Sequence, residues 1–516
     1  MDKDKIKDWL KNPYNLVLIV VLIFVLIIRL HYFSLTMHQP LWWDEAEYMS
    51  TAKGFAGIID FPYHFALNRF PGFQLTASLF YIFGITSEPV LRFFLAFIPS
   101  LIVLFLLYSI MREMYPDKKI AIISLVVFSV LWEHVFYSNR FHTENWSLIF
   151  SFLAILILFK VYIKKEKFYF IKPNHAIWYI LLLSILCILF RSANIIFLPA
   201  VLFFILMLNF YKIPKNLRII LVIFLVSLFV LFLFIGGPLA KKYASINLFY
   251  HYEMPIAWNI ISWDNSNVFY GFYQSFIPYV PSILFYAFLL GIILFFIKVI
   301  IAPELLKRVS LNSEELEIKS DIFNIILIIA VLFFFIFMFR QSVFEYRWFF
   351  ILLPGMFAFT AKGIIKFSEY LASFINFKGL SILLILIIVI LGIYTEYNHT
   401  DMVVKYKITS YQEVKDSGLW INQNSNKSDI IITESPMQHA YYSERKLFWF
   451  DQFNNEENFS EYLKEIKPKY IVLSVFQPHP EWAYSFPEKN NNTLKPVKAY
   501  FDSNQQPLLI IYEYNS

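Results

Sequence analysis

The sequence predicts a mainly α-helical polytopic membrane protein: about eleven transmembrane helices, interfacial helices, and a small C-terminal α/β domain outside the membrane. Three observations predict it. The 516 residues are 58% hydrophobic and only 16% charged, with a mean hydropathy of +0.57; a soluble chain of this size needs far more polar surface. Apolar runs of near-spanning length recur up to about residue 397 and then stop. Phe (59) and Tyr (33) are abundant, which suits a lipid-facing surface and its headgroup belts.

A helix needs roughly 20 apolar residues to cross a bilayer. Such runs lie at 14–32, 89–110, 118–138, 145–163, 175–190, 192–211, 217–236, 275–298, 321–339, 347–366 and 380–396. The first is long and lacks a small-residue cleavage site, so it reads as retained. The stretch 174–211 is broken by Arg191-Ser192-Ala193-Asn194 and reads as two helices joined by a tight turn. Segment 65–84 is short for a crossing. Lys and Arg gather in cytoplasmic loops, and they sort onto one side only if 65–84 stays outside as an interfacial helix. The basic loops are then 3–11, 112–119, 160–172, 212–218, 298–319 and 362–378. This order puts the N terminus in the cytoplasm, the first loop (33–88) outside, and the protein in the cell membrane. The net charge of +6 is spread over short loops and forms no nucleic-acid patch. Cys187, the single cysteine, allows no intrachain disulfide and no Cys-based metal site, and reads as a small buried hydrophobe.

The membrane domain is expected to span 1–397 and the external domain 398–516. In the latter, Ile430-Ile431-Ile432, Tyr470-Ile471-Val472-Leu473 and 508–512 read as strands, and 411–422 and 458–466 as helices. Glycosylation acceptor triplets begin at Asn398, Asn426, Asn458 and Asn491, which agrees with an external location. Gln438-His439-Ala440-Tyr441-Tyr442 is either an acceptor-binding patch or ordinary core.

Trp42-Trp43-Asp44-Glu45-Ala46-Glu47-Tyr48 follows the first span. Charge is costly beside lipid, so three carboxylates against tryptophans there point to a functional site. A helix over 44–55 puts Asp44, Glu47, Tyr48 and Thr51 on one face and turns Glu45 elsewhere. At a helix start Asp44 is either a plain N-cap or a general base, its pKa raised by poor solvation and lowered by a nearby arginine. Arg69, Arg140, Arg191, Arg340 and Arg347 lie near the outer boundary against the charge bias. A guanidinium fork grips phosphate, which lipid headgroups present; snorkelling or structural ion pairing is the other reading. In Ser138-Asn139-Arg140-Phe141-His142-Thr143-Glu144, Arg140 and Glu144 stand one helical turn apart, as for an ion pair that joins helices. His142 alone reads as structural.

Together these residues resemble the GT-C superfamily of polyprenyl-phosphate-sugar glycosyltransferases. The likeness is nearest to the branch holding the protein O-mannosyltransferases and the lipid A aminoarabinose transferase. Four features match in order over roughly the first 210 residues: Asp44-Glu45 with Tyr48; Asn68-Arg69-Phe70-Pro71-Gly72-Phe73 and the apolar helix after it; Glu88 with Arg92; and 138–144, followed by Phe190-Arg191. Arg69 stands where the family often has lysine, and a single proline follows. A Trp-Trp-Asp triplet is also associated with oligosaccharyltransferases, but there in the soluble domain, so that function is not carried over.

The resemblance implies a GT-C-like fold and transfer of a sugar from a polyprenyl phosphate, such as dolichyl phosphate, to a hydroxyl of a glycan, lipid or protein outside the membrane. Asp44, with Glu45, would be catalytic. Arg69, Arg140 and Arg191 would hold the donor phosphate; Glu47, Tyr48, His142 and Glu144 would support the site or bind substrate. No metal or other cofactor is required, although a divalent cation on Asp44, His142 and Glu144 stays open. The sequence has no Gly-rich phosphate loop and no His-Glu-x-x-His motif. The competing class is a transporter or flippase, which would place polar groups at the midplane on broken helices. A transferase-like assembly subunit without activity is the third reading.

Overall fold

The computed structural model describes residues 11–59, 70–210, 282–301, 313–337, 346–375, 377, 379–450, 453, 455–477 and 480–515. The predicted span 217–236, Arg69 and Arg340 lie outside the described residues. Among the described residues, eight helices are long and apolar enough to cross a membrane: Pro13–Thr36, Glu88–Met114, Glu144–Ile163, Pro173–Phe190, Ser192–Asn209, Ile283–Ile301, Arg347–Ser373 and one starting at Leu380. The chain is thus a multi-pass membrane protein. A further helix, Ser313–Phe337, overlaps the predicted span 321–339.

Local chemistry explains the boundaries. The first helix opens with Pro13 in its first turn, and the Asn12 side chain accepts from Tyr14 N (3.0 Å). Its exposed positions include Val20, Ile23 and Ile27, which form an apolar face suited to lipid. The helix Arg347–Ser373 is the opposite case: its apolar window is wholly buried, so it forms the middle of the bundle. It packs backbone to backbone on Ser282–Ile301. A Cβ on Gly363 would overlap the Ala287 carbonyl, and one on Gly291 the Phe359 carbonyl. Small residues permit such crossings in a bilayer. One end of the bundle is laced by Glu113 to Lys160 (2.6 Å) and Lys164 (2.7 Å), and by Lys362 to Asp321 (2.5 Å) and Glu317 (2.6 Å).

The expected break in 174–211 is present: Pro173–Phe190 ends at Arg191, and a 3-10 turn over Ser192–Ile196 opens the next helix. The short segment 65–84 yields a helix of 11 residues, Gly72–Ile82, too short to cross. One expectation is corrected. The run 118–138 is two helices, Lys118–Val130 and Trp132–Ser138, bent by 61° at Leu131. No Pro or Gly marks the bend. The amide it frees is met by another helix: Glu396 Oε2 accepts from Trp132 N (3.1 Å), while Thr400 Oγ1 donates to Glu396 O (2.8 Å) and lies 3.4 Å from Val130 O.

The last bundle helix, Leu380–Lys407, runs through residue 398 before the sheet domain begins. The helix Gln412–Asn424 follows, then a five-stranded sheet in the order β2-β1-β3-β5-β4. β1 (Ile430–Thr433), β2 (Lys446–Trp449) and β3 (Tyr470–Ser474) are parallel, and β5 (Pro507–Tyr514) runs antiparallel to both of its neighbours, β3 and β4 (Leu494–Phe501). The apolar runs expected to form strands are β1, β3 and β5. The two that escaped are edge strands: β2 has four residues, and β4 carries Lys495, Pro496 and Lys498 at an irregular register.

The domain docks on the first loop through the helix Pro436–Ser443. Leu41 N donates to Tyr442 Oη (2.8 Å), Lys53 Nζ donates to Tyr441 O (2.8 Å) and pairs with Glu444 (2.7 Å), and Lys415 pairs with Glu88 (3.0 Å). Gln438, His439, Tyr441 and Tyr442 are all buried. This stretch is therefore core and clamp rather than an exposed acceptor patch.

Candidate active site

Helix Trp43–Phe55 follows the first span and brings the acidic cluster to one end of the bundle. Its N-cap is Trp42, so Asp44 is not the cap. Glu45, three residues on, accepts from Trp42 N (3.0 Å) and fills the reciprocal half of a capping arrangement. Gly72 lets the neighbouring helix approach closely: a Cβ there would overlap Leu189 O and the Phe190 ring.

Glu45 is fully buried. It pairs with Arg92 (3.0 Å) and Arg140 (2.8 Å) and accepts from Phe141 N (2.9 Å). Burial alone would raise its pKa, but the two guanidinium groups outweigh burial and hold it at about 2. Both oxygens of this enclosed carboxylate are thus committed to partners within the protein. Arg92 also donates to Asn139 O (2.8 Å) and Gln39 O (2.9 Å). Arg140 lies 3.9 Å over the Trp42 ring and 4.4 Å over Phe136. Burial lowers the Arg140 pKa, with Glu45 opposing.

Asp44 faces the other way, as the helical spacing predicts. Arg347 Nη2 donates to its Oδ2. The same guanidinium donates through Nη1 to His142 Nδ1 (2.8 Å) and lies 3.4 Å from Glu144 Oε1. Arg191 pairs with Glu144 (2.5 Å) and approaches Thr143 Oγ1 (3.4 Å). Arginine is always the donor, so His142 Nδ1 accepts and its proton sits on Nε2. Burial, then Arg347, push the His142 pKa down to about 4, so the ring is neutral near pH 7. Tyr48 stands edge-on to His142 at 6.4 Å and to Phe73 at 5.7 Å. Glu47 is buried on the same helix.

The structure thus joins Asp44, His142, Glu144 and Arg191 through one residue not ranked with them, Arg347. It sets Glu45 and Arg140 behind them, with Tyr48 beside His142. Arg347 was visible only as a boundary arginine; its partner Asp44 is 303 residues away. One spacing argument fails. Arg140 and Glu144 do not pair, because residues 139–143 are not helical. Of the Glu88 and Arg92 that carry the family likeness, Glu88 pairs with Lys415 and Arg92 with Glu45. Among the described residues no group of three His, Cys, Asp or Glu is arranged to hold a metal ion. The Arg347 guanidinium touches Asp44, His142 and Glu144, the three side chains a divalent cation would use. This arrangement does not fit such an ion.

No protein-family model and no curated protein matches the sequence. Solved structures do match. One is the archaeal oligosaccharyltransferase AglB from Archaeoglobus fulgidus, in complex with an inhibitory peptide and a dolichol-phosphate: TM-score 0.55 and 13% identity over 98% of this chain and 74% of that one. Another is ArnT from Cupriavidus metallidurans in the apo state: TM-score 0.56 and 11% identity over 96% of this chain and 97% of that one. ArnT bound to undecaprenyl phosphate matches at TM-score 0.54 and 12% identity, over 96% and 97% of the two chains. A further AglB structure is a complex with Zn and sulfate. The chain therefore has the GT-C-like fold expected from its motifs, and the likeness extends well beyond residue 210.

Proposed function

We propose that the chain is an integral-membrane glycosyltransferase that moves a sugar from a polyprenyl phosphate to an acceptor hydroxyl on the extracytoplasmic face of the cell membrane. The observation that carries this reading is the pairing of Asp44 with Arg347, in contact with His142 and Glu144, at the domain-capped end of a GT-C-like bundle. Sidedness follows from the Lys-rich loops at the opposite end, which the charge bias assigns to the cytoplasm. The protein whose structure holds undecaprenyl phosphate and the one holding dolichol-phosphate share this fold, which supports a lipid-phosphate donor here.

In this scheme Asp44, oriented by Arg347, takes the acceptor proton. The acceptor oxygen attacks the anomeric carbon as the bond from that carbon to the phosphate oxygen breaks, with inversion. The electron pair leaves with the lipid phosphate. Arg191 and Arg347 meet the developing charge as fixed cations, and Arg69 keeps the donor-phosphate role that the family likeness implies. His142 offers its Nε2–H as a neutral donor to sugar or phosphate. Glu144 holds the two arginines, Glu45 holds the Asp44 helix through Arg92 and Arg140, and Glu47 and Tyr48 line the same helix. None of these residues calls for a metal.

The test is purified protein in nanodiscs with polyprenyl-phosphate sugars and membrane extract as acceptor, beside Asp44→Asn. Sugar-dependent release of polyprenyl phosphate that drops about 10²–10³-fold in the variant is the expected result. Transfer undiminished in Asp44→Asn would remove Asp44 from the role. Movement of the lipid-linked sugar between leaflets without transfer would favour the flippase.

A further inference from the structure

The bend at Leu131 delivers the site. Trp132–Ser138 leads directly into residues 139–144, which carry Arg140, His142 and Glu144. A broken helix inside a bilayer leaves backbone groups that must find partners within the protein. Leu131 has φ −53 and ψ 113, so the two helices on either side cannot share a hydrogen-bond ladder. The first amide beyond the break, Trp132 N, is taken by Glu396 Oε2 at 3.1 Å. The last carbonyl before it, Val130 O, lies 3.4 Å from Thr400 Oγ1, a long contact beside the 2.8 Å bond that this hydroxyl gives to Glu396 O. The two side chains sit four residues apart on one face of Leu380–Lys407. His399, between them, meets the Trp132 ring edge-on at 5.0 Å. Glu396 and Thr400 are both buried. A second tie holds the far side: Arg29, wholly buried, donates to His134 O (3.2 Å) and to His134 Nδ1 (2.8 Å), and the ring then donates from Nε2 to Asn145 Oδ1 (3.0 Å).

The helix that supplies Glu396 is also the stalk of the sheet domain. That domain grips the other half of the site, because Leu41, three residues before Asp44, donates to Tyr442. We propose that Glu396 is a positioning residue for the reaction. By capping the break at Leu131 it fixes where His142 and Glu144 stand relative to Asp44, and it ties that placement to the stalk of the external domain. The proposal rests on the transferase reading for its functional half only.

The experiment compares Glu396→Gln, Glu396→Leu and Thr400→Val in the full chain in nanodiscs, by hydrogen exchange and by turnover. The Gln side chain keeps an acceptor oxygen, and the Leu side chain does not. Expected for Glu396→Leu is exchange of the peptide covering 131–145 faster by about tenfold or more. Turnover should fall roughly ten- to hundredfold, the scale of a misplacement of about 1 Å. Glu396→Gln should match the parent in both, and Thr400→Val should show the same effects as Glu396→Leu in weaker form. Unchanged exchange at 131–145 in Glu396→Leu overturns the proposal, as does a Glu396→Gln protein as slow as Glu396→Leu. If exchange behaves as expected but the parent transfers no sugar from any donor, the transferase reading fails while the cap on the break stands.

Discussion

Glu45 and Asp44 are neighbours with opposite fates, and the helix explains why. One residue of rotation sends Glu45 into the protein, onto two arginines, and leaves Asp44 at the open edge under a third. Breaking a buried charge pair by removing one partner costs about 3–5 kcal/mol, and Glu45 serves two partners. Glu45→Gln should therefore lower the unfolding temperature in detergent far more than Asp44→Asn, which a melt of the two variants side by side will check. Acid sensitivity has a residue-scale origin as well. His142 and His439 are held neutral by burial, each with a pKa of about 4, against an ordinary value of about 6.5. Between those values the unfolded chain binds protons that the native chain refuses. Their contribution is full above about pH 6.5 and drains away as pH falls toward 4. The depressed Glu45 adds a further loss only as pH falls below about 4.3 toward 2. Melting temperature should fall from pH 7 to pH 4.5, and His439→Asn should flatten that slope.

At the scale of elements, the crossing of Ser282–Ile301 on Arg347–Ser373 controls the site from a distance, since Arg347 begins the second of these helices. Gly363 and Gly291 each face a partner backbone with no room for a methyl group. Gly363→Leu should separate the two helices and destabilise the bundle by more than the roughly 1–3 kcal/mol typical of overpacking, because the clash is with backbone. Retained stability and activity in this variant would show that the helices can part without cost. Element-level reading also marks what could be seen in sequence. Apolar length found most of the described spans, the break at Arg191 and, within 65–84, a helix too short to cross. Helical spacing correctly separated Asp44 from Glu45. It failed at Arg140 and Glu144 because it presupposes a helix, and the chain leaves the helix at Asn139. It failed at Leu131 because the group that satisfies the freed amide there, Glu396, is far along the chain, and no Pro or Gly announces the bend. The pairing of Arg347 with Asp44 was missed for the same reason: only the folded bundle brings the two together.

At the scale of the whole molecule, the sheet domain is tied to the helix that carries the candidate site rather than hanging as an appendage. Its helix Pro436–Ser443 lies on the helix that carries Asp44, and Lys53 ties the far end of that helix to Tyr441 O and Glu444. The Lys53 ammonium also stands 4.1 Å from the Tyr441 ring centroid. Burial lowers its pKa and Glu444 resists; the ion pair and the ring contact, though not the bond to Tyr441 O, need the charged amine. Tyr442 supplies the matching tie at the near end, through Leu41 N. Removing that hydroxyl leaves a buried amide unsatisfied, at about 1–3 kcal/mol, and loosens the strand of chain leading into Asp44. Removing the Lys53 charge should instead release the domain from the distal end while leaving Leu41 held. If the domain orients Asp44, Tyr442→Phe must reduce sugar transfer more than Lys53→Met, although Lys53 makes more contacts. If the domain serves only to hold the molecule together, the order reverses and follows the loss of thermal stability. Turnover and melting temperature measured on both variants distinguish the two orders.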